Sequence, residues 1–190
     1  TGHHAGTCEI GGGVIFGHDS VVRWLARWLQ VMTGRATGTE QWVPAWDSLE
    51  TVRDPTTQLP IQRTKHARLD VAFCDSEGRR SFVDVAIPAA SSDNAALRAQ
   101  RSCSDGSAAA DSVRGKRSKY PAWKLPASPL VPFVVESLGR VSPEALGLLR
   151  SVAPSAPVGR SRALRGAMQT PSGLVQGRLA EQLLSAEPGR

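Results

Sequence analysis

Two strand-like runs joined by one tight turn constrain this chain more than anything else in it. The runs are Arg68-Leu-Asp-Val-Ala-Phe73 and Ser81-Phe-Val-Asp-Val-Ala-Ile87, and Asp75-Ser-Glu-Gly-Arg79 lies between them. Gly78 suits a turn position that needs positive φ. The apolar side chains at 69, 71 and 73 face one way, as do those at 83, 85 and 87, so each aspartate points away from its strand's main apolar face. A three-residue loop over 76–78 pairs Asp75 with Arg79. The same register sets Asp70 directly opposite Asp84. Two carboxylates so placed have Cβ atoms about 5 Å apart and repel each other. A hard divalent cation, Mg²⁺ or Mn²⁺, relieves that repulsion, and Mg²⁺ takes one or two carboxylates plus water and phosphate oxygens. The plainer reading is a hairpin with one wet face, where alternate polar residues are ordinary.

At 190 residues the chain fits one domain with a substantial core. It contains no apolar run long enough to span a bilayer, so no membrane partner is expected. The net charge is +6, and of 23 basic residues 19 are Arg and 4 are Lys. That balance favours a polyanion such as duplex DNA, and arginine suits bidentate phosphate contacts. Arg23 and Arg27 lie one helical turn apart, and Arg114 and Arg117 belong to a basic run; all four are candidate phosphate contacts. Contacts of that kind read the backbone and predict sequence-independent binding. Cys8, Cys74 and Cys103 are too few and too scattered for a disulfide framework, which implies an intracellular chain.

Along the sequence, residues 1–18 are Gly-rich. Asp19 or Ser20 caps a helix with an apolar stripe at Val21, Leu25, Trp28, Leu29 and Met32, and Gly34 ends it. A short strand precedes Pro44, and residues 44–66 read as an irregular loop with three prolines. After the hairpin comes a helix, interrupted near 102–106 and resuming at 107. Pro132-Phe-Val-Val-Glu136 is a buried-looking strand. Ser142-Pro-Glu opens a helix to about Val152, and a last helix spans roughly 160–185. Helices alternating with few strands predict an α/β fold with a small mixed central sheet flanked by helices.

Three further groups could complete a site. Glu40, at the start of the first strand, is a possible third carboxylate. In the run Arg114-Gly-Lys-Arg-Ser-Lys-Tyr120, helical spacing puts Val113, Lys116, Arg117 and Tyr120 on one side. Lys116 or Lys119 near a phosphate would neutralise developing charge, and Tyr120 would position water or phosphate. Equally, the run is a basic helix end that suits its own dipole, with Tyr120 as a core cap. His3 and Cys8 match half of a zinc knuckle, which two ligands do not close.

Leu69-Asp70, a gap of 13 residues, Asp84, and then Lys116-x2-Lys119-Tyr120 resemble the restriction-like endonuclease domain of site-specific non-LTR retrotransposons, within the PD-(D/E)XK nuclease superfamily. The likeness extends to His18-Asp19 ahead of an apolar helix, to Glu40-Gln-Trp-Val-Pro44 and to Phe133-Val-Val-Glu-Ser-Leu-Gly-Arg140. Leu69 stands where the family has proline. Ala86 stands at the superfamily's usual lysine position, for which the family's displaced lysine compensates. The resemblance implies a restriction-endonuclease-like core over 19–152, preceded by a CCHC-knuckle remnant and linker at 1–18 and followed by a linker and helix at 153–190. It implies a nuclear, metal-dependent nuclease that nicks target DNA to prime reverse transcription of element RNA by the parent polyprotein. His3 and Cys8 would be the knuckle's last two ligands, with Zn²⁺ bound only if cysteines precede them. The alternative is a basic nucleic-acid-binding module whose catalytic site has decayed.

Overall fold

The computed structural model describes residues 13–89, 94–153, 163, 165–167 and 169–176. Helix α1 (Gly13–Thr33) leads into strand β1 (Gly38–Trp42). A 3-10 turn over Pro44–Trp46 precedes β2 (Ser48–Arg53) and β3 (Pro60–Lys65). Strands β4 (Arg68–Cys74) and β5 (Arg80–Ala86) follow, then α2 (Ala95–Cys103), α3 (Ser107–Lys119), β6 (Leu130–Val134) and α4 (Pro143–Val152). The described residues from 163 to 176 are helical.

The central sheet has the order β1-β4-β5-β6. β1/β4 and β4/β5 are antiparallel and β5/β6 is parallel. The sheet is therefore mixed, as helix-rich alternation implies: the crossover from β5 to a parallel β6 carries α2 and α3. Val71, Phe73, Val83, Val85, Phe133 and Val135 point to one face, where α1 contributes Val21, Val22, Leu25 and Leu29 and α4 contributes Ala145, Leu148 and Leu149. On the other side α3 sets Ala109 and Val113 against Val134. Beside them Tyr120 packs with Trp46, Ala72 and Phe82. Leu69 departs from the expected shared face with 71 and 73, since it packs with Val43 and Trp46.

The β4–β5 turn forms from its own side chains. Asp75 Oδ1 accepts the amides of Glu77 and Arg79, each at 2.9 Å, and Gly78 takes φ 84°. Ser142 Oγ accepts the Ala145 amide at 3.2 Å and Pro143 is the first residue of α4, as Ser-Pro-Glu predicts. Gly34, at φ 66°, ends α1.

Two expectations are corrected. α1 begins at Gly13, six residues before Asp19, so Asp19 and Ser20 lie inside the helix and do not cap it. Residues 44–66 are not an irregular loop: β2 and β3 form a two-stranded antiparallel ribbon apart from the main sheet. Its prolines sit where ribbons tolerate them, Pro55 in the turn and Pro60 as a strand's first residue. Its pattern was hard to see because neither face is buried, so apolar alternation is weak. Among the described residues no helix is long and apolar enough to cross a membrane.

Candidate active site

The antiparallel ladder of β4 and β5 runs from Cys74↔Arg80 to Val71↔Val83 and stops there. Carried one residue further, the register places Asp70 opposite Asp84, as the loop length predicts. At this point the strands exchange backbone partners for side chains. Val85 donates its amide to Asp70 Oδ2 at 2.6 Å, and its carbonyl accepts from Lys116 Nζ at 3.2 Å. One residue of β5 thus has both backbone groups satisfied by the candidate acid and the candidate lysine.

Asp70 and Asp84 are 9% and 5% exposed, so the expectation of a wet strand face fails at this position. Burial makes two facing carboxylates costly unless each has a partner. Asp70 has His18, whose Nε2 lies 3.2 Å from Oδ2. Asp84 has Lys116, whose Nζ lies 2.7 Å from Oδ2. That contact is an ion pair outside hydrogen-bond angles, and it leaves Asp84 Oδ2 a buried oxygen without a formed hydrogen bond.

The two acids titrate in opposite directions. Burial pushes Asp84 up; the Lys116 charge opposes this, the Asp70 charge adds to it, and the net shift is upward. Burial pushes Asp70 up too, but the His18 hydrogen bond and charge and the Val85 amide together outweigh it, so Asp70 is lowered. His18 is correspondingly raised to about 9, chiefly by its hydrogen bond to Asp70. At neutral pH the site therefore holds an imidazolium against an ionised Asp70.

His18 carried no role in the expected site. A signal was present: His18, Val21, Val22, Leu25 and Leu29 form one stripe at helical spacing, so the histidine continues the core-facing side of α1. Its neighbour Gly17 is buried against Ile87, just beyond β5, which brings this turn of α1 to the open end of the hairpin.

The remaining candidates divide clearly. Lys116 is brought to the acids. Lys119 is exposed and lies over the Tyr120 ring, 4.6 Å from its centroid. Tyr120 is buried against Trp46, and burial together with the Asp84 charge raises its hydroxyl to about 12. It is a proton donor at neutral pH, close enough to sense both aspartates. Glu40 falls opposite Asp70 in the β1–β4 register, between the pairs Thr39↔Val71 and Gln41↔Leu69. Its φ of 52° breaks the pleat there, and it is exposed. The structure does not bring it into the buried cluster. Arg23 and Arg27 are exposed on α1. Arg114 is paired with Asp111, and Arg117 with Glu144 at 3.2 Å. His3 and Cys8 lie outside the described residues. Cys74, the last residue of β4, is a half-buried free thiol.

Among the described residues no group of three or more His, Cys, Asp or Glu side chains is arranged to hold a metal ion. The two carboxylates, with one buried oxygen lacking a hydrogen bond, still suit a hard cation that takes few protein ligands. A surface cavity of about 620 Å³ lies at the other end of the hairpin, lined by Asp75, Glu77, Arg79 and Glu144, and includes neither Asp70 nor Asp84. The chain matches no protein-family model and no curated protein.

Proposed function

We propose that this chain is a metal-dependent DNA endonuclease domain that nicks duplex DNA. The observation that carries this reading is the meeting of Asp70, Asp84 and Lys116 where the β4–β5 ladder opens. A structural ion pair needs one acid and one base. Here two buried acids face each other, and each has its own cation, which concentrates charge at one point on the molecule.

In this reading Asp70 and Asp84 would hold Mg²⁺ or Mn²⁺. A bound Mg²⁺ supplies positive charge to a scissile phosphate and acidifies water. His18 and the Val85 amide keep Asp70 ionised and oriented. Lys116 holds an ammonium beside Asp84, where negative charge on a phosphate would build up. Tyr120 stays protonated and donates. Exposed Arg23 and Arg27 contact the phosphate backbone. By the resemblance, the freed 3′ hydroxyl primes reverse transcription of element RNA by a parent polyprotein in the nucleus.

Supercoiled plasmid incubated with the chain and Mg²⁺ or Mn²⁺ tests the reading. Conversion to open circles is expected, with loss of conversion in EDTA and in Asp84→Asn, while Asp84→Asn keeps its DNA affinity. Intact supercoils with both metals, from a chain that binds DNA, would overturn it in favour of a non-catalytic binding module.

A further inference from the structure

The β2–β3 ribbon plays no part in the core. Neither strand has a buried residue, and Leu49 and Ile61 are 69% and 43% exposed. A two-stranded ribbon is marginal by itself in water. This one is held at its base, where Asp47 Oδ1 accepts the Ala67 amide at 2.8 Å and Asp47 Oδ2 lies 3.0 Å from His66 Nδ1. Its tip is held by Asp54, which accepts the amides of Thr56 and Thr57 at 2.8 Å. A ribbon pinned at both ends, yet uncovered, is built to project.

The register divides its side chains. Ser48, Glu50, Val52, Ile61, Arg63 and Lys65 share one face, on which Glu50 and Val52 are half-buried. On the opposite face every side chain is exposed, including Thr51, Arg53, Gln62 and Thr64. Among the described residues Arg53, Arg63 and Arg68 make no ion pair. The ribbon also continues into the site. β3 passes through His66-Ala67 directly into β4, the strand that carries Asp70, and the Lys65 charge acts on the Tyr120 hydroxyl.

We propose that the β2–β3 ribbon enters the major groove of the duplex and reads base edges with Thr51, Arg53, Gln62 and Thr64. This rests on the endonuclease reading for the position of the duplex. Six residues per strand give a ribbon about 20 Å long, and the major groove, about 12 Å wide, admits a two-stranded ribbon and carries the fuller base code. Arginine pairs with guanine, glutamine with adenine, and threonine or an apolar group meets the thymine methyl. The ribbon therefore adds sequence preference to the indifferent grip of Arg23 and Arg27.

The full chain, in EDTA, is used to select from a pool of random 20-base-pair duplexes, in parallel with the double variant Arg53→Ala/Gln62→Ala. The wild type should enrich a motif and bind it about tenfold or more tighter than the variant does. Methylation of guanine N7 in that motif should weaken the wild type and not the variant. Both substitutions lie on an exposed face, and an unchanged melting temperature establishes that the variant folds. Identical enrichment and affinity for the two proteins would overturn the proposal. So would a ribbon that drives self-association through strand pairing while its substitution leaves DNA binding unchanged. A chain that selects a motif through Arg53 and Gln62 but nicks nothing with Mg²⁺ would retain the reader and lose the nuclease. A chain that nicks plasmid but shows no ribbon-dependent selection would do the reverse.

Discussion

The Asp70 carboxylate accepts the Val85 amide at 2.6 Å, at the point where the backbone ladder of β4 and β5 has stopped. A side chain of one strand thereby takes the place of a backbone carbonyl, and the acid is tied to the neighbouring strand.

Removing that acceptor has a cost separate from any chemistry. Asp70→Ala leaves a buried amide unpaired, which costs about 1–3 kcal/mol. Asp70→Asn keeps an oxygen for Val85 and should lose less. Urea denaturation of the two variants checks this order, and equal loss would show that the amide bond contributes nothing.

The two lysines should separate in a nicking assay. Lys116 stands 2.7 Å from Asp84, whereas Lys119 lies over Tyr120. Lys116→Ala is expected to slow nicking by about 10²–10³, the range for losing one preorganised charge-stabilising donor. Lys119→Ala should stay within a few-fold of wild type. The reverse order would move the catalytic role to Lys119.

The pH dependence of stability follows from His18. Its folded pKa of about 9 lies above the unfolded value of 6.5. The stabilisation from its bond to Asp70 is therefore fully present below pH 6.5 and is lost as pH rises through 9. Asp70 is lowered, so its share is present above its unfolded pKa and is lost as pH falls through the folded one. Metal-free protein should show a falling denaturation midpoint between pH 6.5 and 9.5, and His18→Gln should flatten that slope. A slope that His18→Gln leaves unchanged would place its origin elsewhere.

Ser142 offers a test far from the acids. Its hydroxyl caps α4, and Ser142→Ala should destabilise by about 1 kcal/mol. Thermal melts of wild type and variant measure this directly, and nicking should not change once stability is allowed for.

What could be read in advance was local. The β4–β5 register follows from a loop whose length Asp75 and Gly78 determine, so the facing of Asp70 and Asp84 was legible. The caps at Ser142 and Gly34 follow from single residues for the same reason. The partners of the acids were less legible. Lys116 and Lys119 both suit a basic helix end, and only the packing of Val113 and Tyr120 selects between them. His18 is separated from Asp70 by 52 residues, and its place on the α1 stripe was visible without any indication of what it would meet. The ribbon was missed because exposed strands carry no strong apolar alternation. The orientation of Glu40 was not legible, because period-two alternation cannot anticipate a residue at positive φ.

Glu136, just beyond β6, is buried, and its Oε1 accepts the Ala109 amide at 2.9 Å. Ala109 lies in the first turn of α3, and Lys116 comes seven residues later, nearly two full turns on and about 10 Å along the axis. The bond acts as an index pin on a screw: a slip of one residue would rotate Lys116 by about 100° and carry its ammonium away from Asp84. The strand that completes the sheet thus also sets the clocking of the helix, and a carboxylate outside the acidic pair determines whether the lysine arrives.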